Sequence, residues 1–387
     1  MPNRSPENHA SVDAEFSVGF SHRLIFTRDF AHPGNPILAS LLAAPGGRTD
    51  SGVLVAIDSE VARRHPDLAR ALTSRFESPD MPALRDITVI PGGECAKNDP
   101  EVVDQLLSLI EKHRIDRRSS VLCIGGGAVL DAVGFAAGIA HRGVRLIRVA
   151  STVLGQLDAA IGVKNGVNRF GKKNFVGTFA VPTAVVCDES LLSTLSDRDW
   201  RGGFSEAVKI ACIKDADFFD AIENAAPRIA ARDAGAARPV IHRCAELHLR
   251  HIADGGDAFE RHEARPLDFG HWSAHRLESL SDFTVTHGEA VAIGVALDAC
   301  YSHLAGRITR QEAARVVRTL ASIGLPVSHP LLGSDAMLGG LEEFREHLGG
   351  RLTVTLLDAI GKGVDVHEMD GDLIADARSL AIELANH

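Results

Sequence analysis

Five short β-branched runs, set apart by helical stretches, restrict most what this chain can fold into. They are GVLVAID (52–58), ITVIPGG (87–93), SVLCIGGG (120–127), VRLIRVA (144–150) and TAVVCD (183–188). Between them, EVVDQLLSLIEKHRI and AVLDAVGFAAGIAHRG repeat apolar residues at helical spacing. Such alternation predicts an open α/β fold with a parallel sheet. After about Asp197 the pattern changes. GFSEAVKIACIKDADFFDAIENAA, PVIHRCAELHLRHIA, GHWSAHRLESL, HGEAVAIGVALDACYSHLAG and TRQEAARVVRTLASIG all read as helices. The expected layout is a disordered tail over 1–15, an α/β domain over 16–200 and a mainly α-helical domain over 201–387. RDWRGG (198–203) reads as the hinge. A cleft between two such halves is a usual place for a ligand.

The chain has 387 residues, 45% of them hydrophobic, enough for one large or two ordinary cores. Its net charge of −10 is spread among both signs, which argues against a nucleic-acid binder. The six cysteines, Cys95, Cys123, Cys187, Cys212, Cys244 and Cys300, stand singly. They read as small core residues of a reduced, cytoplasmic protein. The polar start lacks the apolar core of a signal peptide. No stretch approaches the roughly 18 apolar residues of a membrane helix.

Several motifs carry chemistry. CIGGGAVLDAVGFAA sets three glycines between a strand and a helix. There the backbone can approach a pyrophosphate, and the helix N-terminus favours its charge. It is not GxGxxG, and a plain tight turn fits equally. Asp58 closes an earlier strand, where it can bind a ribose hydroxyl or cap a helix. LDAAIGVKNGVNRFGKKNFVG (157–177) gathers Asp158, Lys164, Asn168, Lys172, Lys173 and Asn174 among glycines. It reads as a binding loop for phosphate or polyol groups, the alternative being a solvated β-hairpin. In GGFSEAVKIACIKD, Glu206 and Lys209 share a helix face, and their apolar neighbours favour a buried pair. His271 and His275 stand at i and i+4, a common metal geometry. Zinc needs a third protein ligand, and His287 and Glu206 are the candidates.

In their order, these motifs resemble the dehydroquinate synthase-like sugar phosphate cyclases over about residues 50–360. PGGECAK resembles the family's PxGE…K segment, and GGGAVLDAVGFAA its GGGxxxD segment. DAAIGVK…GKKN is similar to its glycine–lysine–asparagine loop, and GFSEAVK to its GxxExxK helix. DFGHWSAH and HGEAVAIG are similar to its two histidine segments. The resemblance implies a Rossmann-like NAD-binding domain, a helical domain holding zinc or cobalt, and a homodimer with the active site in the cleft. It also implies that Glu206, His271 and His287 are the metal ligands, with His275 facing a substrate phosphate. For NAD it implies Asp58, Glu94 and Lys97 near the adenosine end, Gly126 and Gly127 under the pyrophosphate and Asp131 near the nicotinamide. Ser151 and Thr152 stand where the family has two threonines. Lys164, Asn174, His275, Asp158, Lys173 and Lys209 would line the substrate, and Arg142 would reach the neighbouring subunit's phosphate. The implied reaction is transient oxidation by NAD, β-elimination of phosphate, return of the hydride and aldol closure of a carbocycle.

The substrate turns on a few positions. Typical dehydroquinate synthases carry R-x-x-x-N-x-G-H; here Ala264 and Asp268 replace the arginine and asparagine, so the arginine has either moved to Arg265 or is absent. Asp268 adds negative charge where that family enzyme has an amide, which disfavours a carboxylated substrate. RPLDFGH is similar to the segment of sedoheptulose 7-phosphate cyclases. His275 departs from many 2-epi-5-epi-valiolone synthases, which have proline there, so a 2-epi-valiolone-type product stays open. Arg345 or His347 is the candidate to replace a phosphate-binding lysine. The readings carried forward are a sedoheptulose 7-phosphate cyclase, a 3-dehydroquinate synthase, and an NAD- and metal-dependent polyol dehydrogenase.

Overall fold

The structure is a computed structural model that describes residues 11–43, 51–170, 172–256, 258–259, 266–347 and 350–386. The strands, in chain order, are β1 (Leu24–Thr27), β2 (Gly52–Asp58), β3 (Ala83–Ile90), β4 (Ser120–Gly125), β5 (Arg145–Ala150), β6 (Lys164–Arg169), β7 (Lys172–Phe179), β8 (Ala184–Asp188), β9 (Val354–Ala359) and β10 (Lys362–Val366). Six form one parallel sheet in the order β1-β8-β5-β4-β2-β3.

Every residue of β2, β4 and β8 is buried. Leu54 and Ala56 of β2 pack with Val121 and Cys123 on one face, while Val53, Val55 and Ile57 pack with Leu122 and Ile124 on the other. Helices cover both faces, so these strands are apolar throughout rather than alternating. The second half is a helical bundle with its own core, built on Phe204, Phe219, Trp272, Val291 and Leu320. The expected α/β-plus-helical architecture is therefore present.

The structure alters several details. The β3 strand starts at Ala83 and ends before the PGG of 91–93. The short edge strand β1 and the β9–β10 hairpin carried no clear alternation and were not expected. RDWRGG is not a hinge. It lies inside the helix Asp197–Lys214, which Ser196 caps by accepting the Asp199 N–H at 3.1 Å. Trp200 Nε1 then donates to Ile229 O at 2.8 Å, which locks that helix to the next. The single helix expected from Gly203 onward breaks at Asp215, whose extended backbone and carboxylate cap a new helix, Ala216–Ala230. Of the expected tail, 1–10 lie outside the described residues, and 11–15 are exposed without regular structure. All six cysteines are free, five of them buried. Among the described residues no helix is long and apolar enough to cross a membrane.

Candidate active site

Three helices bring Glu206, His271 and His287 to one point. Glu206 lies midway along Asp197–Lys214, His271 opens the helix His271–Leu280, and His287 opens His287–Leu304. Glu206 Oε1 is 3.6 Å from His271 Nε2 and 3.4 Å from His287 Nε2. Glu206 is fully buried, and its Oε1 has no hydrogen-bond partner. Ligands about 2.1 Å from a tetrahedral ion stand about 3.4 Å apart, so the trio fits a divalent metal. The other ring nitrogens are already engaged: His271 Nδ1 sits 3.1 Å from Phe269 O, and His287 Nδ1 sits 3.1 Å from Glu278 Oε2. Such partners fix the tautomer and aim Nε2 at the ion.

His275 lies one turn on from His271, its ring 5.4 Å from His271 and exposed to solvent. The two histidines of the i, i+4 pair differ in placement: His271 turns inward to Glu206, while His275 lies outside that trio. His275 does fall within a second group, with Glu278 and His287. There, however, Glu278 already accepts a hydrogen bond from Lys173 Nζ at 2.6 Å. Burial opposes the Glu278 charge, but His287 and Lys173 outweigh it and hold the carboxyl well below the usual range.

Lys209 pairs with Glu206 one turn along the same helix, and both are buried, so the buried-pair reading holds. Asp158 lies on the turn Gly155–Ala159, with its Oδ1 3.0 Å from His248 Nδ1. Its charge reaches Lys209, as does that of Asp268 on the short turn Pro266–Asp268.

The expected binding loop is instead the β6–β7 pair, since Lys164–Arg169 and Lys172–Phe179 run antiparallel, the hairpin alternative. Its polar groups still reach the cleft. Lys173 Nζ meets Glu278 and lies 3.5 Å from Glu94 Oε1. Asn168 donates to Glu94 Oε2 at 3.0 Å and to Asn98 Oδ1 at 2.8 Å, while its own oxygen accepts the Asn174 N–H at 2.9 Å. Lys164 is exposed at the start of β6, and Lys172 is exposed on β7.

Around the glycine turn, the Gly126 backbone stands beside Thr152, and Ser151 donates its N–H to Gly125 O at 3.0 Å. A Cβ on Gly127 would lie 3.0 Å from the Ala159 side chain, which is why glycine belongs there. Asp58 accepts the Glu60 N–H at 2.8 Å and so caps a helix, the plainer of its two readings. Lys97 and Asp131 were expected at opposite ends of a dinucleotide. They form one ion pair at 2.7 Å, because buried Lys97 needs a counter-charge. Glu94 likewise sits with Lys173 rather than apart from the substrate group.

Arg142 is exposed in the turn Ala140–Arg142, just before β5 begins. The glycine turn and Ser151 lie at the other ends of β4 and β5, about 20 Å away for a six-residue strand. Within one chain Arg142 is thus remote from the cluster. Arg345 is exposed and paired with Glu342 on its own helix. Ala264, Arg265 and the His347 side chain lie outside the described residues.

Sequence reasoning missed Glu278, His248 and Arg148. Glu278 stands seven residues after His271 and three after His275, a helical spacing that could have marked it. Arg148 is a charge in the middle of an apolar strand. It is fully buried and donates to Ala160 O at 3.0 Å, Gly162 O at 2.8 Å, Lys164 O at 3.2 Å and Asn165 Oδ1 at 2.5 Å. It ties the segment between Asp158 and β6 to the central sheet.

Known proteins match this arrangement along most of the chain. Residues 87–202 match the profile of the 3-dehydroquinate synthase N-terminal region, and residues 203–343 that of its C-terminal region. The two meet inside the Asp197–Lys214 helix. A 3-dehydroquinate synthase of Cereibacter sphaeroides is 34% identical over 74% of this chain and 78% of its own. A 2-epi-5-epi-valiolone synthase of Streptomyces glaucescens is 33% identical over 97% of this chain and 94% of its own. The structure of ValA, the 2-epi-5-epi-valiolone synthase of Streptomyces hygroscopicus, was solved with NAD+ and Zn2+ bound. It superposes with a TM-score of 0.86 at 29% identity, covering 96% of this chain and 99% of ValA. With both family profiles matched in order and a relative one-third identical along nearly the whole length, the chain belongs to the 3-dehydroquinate synthase family of sugar phosphate cyclases.

Proposed function

We propose that this chain converts sedoheptulose 7-phosphate to a valiolone-type carbocycle with loss of phosphate, using NAD and a divalent metal, zinc or cobalt, as a homodimer. The observation that carries the substrate is Asp268. Its charge acts on Lys209, the partner of Glu206 in the metal trio. A substrate with its own carboxylate would meet that charge, whereas a ketose phosphate without a carboxylate would bring no second anionic group to it. The valiolone synthases matched over nearly the whole chain support this reading.

When bound, NAD supplies a reversible hydride acceptor and the metal a positive charge that polarises the hydroxyl being oxidised. Glu206, His271 and His287 hold the metal, with Glu278 and Phe269 O fixing the histidine tautomers. Gly126, Gly127, Ser151, Thr152 and the Lys97–Asp131 pair line the place for NAD at the ends of β4 and β5. Lys173, Asn174, Lys164 and His275 sit where a phosphate needs positive and hydrogen-bonding partners. Asp158, linked to His248, and Lys209 are placed to move protons during elimination and ring closure. Arg142 serves the site of a second copy, because its own chain keeps it at the far edge of the sheet.

A second reading, 3-dehydroquinate synthase, is favoured by the Cereibacter relative. Phosphate release by metal-loaded protein with NAD+ separates the two. Turnover of sedoheptulose 7-phosphate alone supports the proposal, and turnover of 3-deoxy-arabino-heptulosonate 7-phosphate alone sinks it. Accumulating NADH with a polyol would instead mark a dehydrogenase.

A further inference from the structure

Trp272 and Gly270 flank His271 on either side, and both are held by one carboxylate. Asp298 lies on His287–Leu304, about three turns beyond His287. Its Oδ2 accepts the Gly270 N–H at 3.0 Å and its Oδ1 accepts the Trp272 indole N–H at 2.9 Å. Asp298 is 0% exposed and Trp272 1%. Both donors are neutral, and burial pushes the Asp298 carboxyl up to about 7. A buried acid without a cation is costly, and an apolar side chain there would cost less. The backbones are also in direct contact. A Cβ on Gly294 would lie 2.0 Å from Gly270 O, and one on Gly270, whose φ is +77°, would lie 2.6 Å from Val295 N.

We propose that Asp298 and Trp272 form a positioning clamp that sets His271 for the metal. The carboxylate grips the residues before and after His271, fixing the first turn of its helix against the helix that begins with His287. Two of the three ligands thereby take their placement from one rigid element. The Phe269 carbonyl, just ahead of the clamped glycine, then orients the His271 ring. The clamp rests on the reading of Glu206, His271 and His287 as metal ligands. Asp298→Asn tests it sharply. The amide offers one acceptor and one donor, so one of the two N–H groups must face another N–H.

The experiment titrates metal-free full-length protein with Co2+, using chelator competition for affinity and visible absorption for ligand geometry. Urea unfolding and NAD+ binding of each variant serve as controls. Asp298→Asn is expected to weaken Co2+ binding by about 10- to 100-fold, as second partners of ligands do, and to alter the visible spectrum with NAD+ binding unchanged. Trp272→Phe is expected to weaken it in the same direction but less. It should cost less in the Asp298→Asn background than in the wild type, because the two act as a unit. A folded Asp298→Asn variant with wild-type affinity and spectrum overturns the clamp alone. Should that variant fail to fold, unchanged Co2+ affinity in Trp272→Phe overturns it equally. Wild-type protein that takes up no Co2+, or a Glu206→Ala variant that binds as well as wild type, overturns the metal reading and the clamp with it.

Discussion

Glu278 joins Lys173 of the β6–β7 hairpin to His287 of the metal trio, 2.6 Å from the one and 3.1 Å from the other. One carboxylate thus links the β6–β7 hairpin to the carboxylate–histidine trio. Glu278→Gln would present an N–H to either Lys173 or His287. The expected result is metal affinity lower by about 10- to 100-fold with NAD+ binding intact, read by chelator competition.

Glu206 and Lys209 share a buried environment, so the loss of one leaves the other uncompensated. Glu206→Ala should abolish stoichiometric metal binding and destabilise the metal-free protein by about 3–5 kcal/mol. Adding Lys209→Met should restore much of that stability without restoring metal. Urea unfolding together with metal analysis checks both halves.

Arg148 satisfies several backbone carbonyls at once through its planar fork. A lysine keeps the charge but cannot reach them all. Arg148→Lys is expected to cost at least about 2 kcal/mol through acceptors left unpaired. Denaturant unfolding reads this directly, and a cost near zero would refute the role of Arg148 as a tie.

Asp268→Asn removes the charge argued to exclude carboxylated substrates. The ratio of kcat/KM for the two heptulose phosphates should shift toward the carboxylated one by roughly tenfold, about 1.4 kcal/mol of discrimination. An unchanged ratio would remove the basis for the proposed substrate.

Asp215 caps the Ala216–Ala230 helix and takes a hydrogen bond from Arg243 at 2.7 Å. Burial raises its pKa, but Arg243 outweighs burial and the net shift is downward. A lowered carboxyl contributes stability that is present above its unfolded value of about 3.9 and is lost as pH falls through the folded value. Asp215→Asn should therefore flatten the acid limb of stability against pH while leaving the slope above pH 5 unchanged. Thermal unfolding across that range measures it.

Much of the frame was legible because it rests on patterns that sequence displays. Strands buried on both faces, such as β2 and β4, appear as unbroken apolar runs, and Glu206, His271 and His287 sit in spaced motifs. What was hidden depends on tertiary context. Only four residues of β1 pair with β8, too few to show a period. RDWRGG looked like a connector because its glycines suggest a break, yet it is helical and packs backbone to backbone on another helix, where a Cβ on Gly288 would lie 2.2 Å from Gly202 O. The 157–177 stretch was polar enough for a loop, but antiparallel pairing made it a hairpin. His248 gave no local signal, since Asp158 comes to it from far along the chain.

The helix once taken for a hinge has a mechanical consequence. Because it runs unbroken from Asp197 to Lys214 and meets the His287 helix at Gly202 and Gly288, Glu206 rests in the same helical core as His271 and His287. The spacing of the three side chains is therefore set by the packing of these helices and not by the parallel sheet. The Lys173–Glu278 bond joins the β6–β7 hairpin to this core. That ion pair is where a strain on the hairpin would be handed to the trio, through the bond from Glu278 to His287.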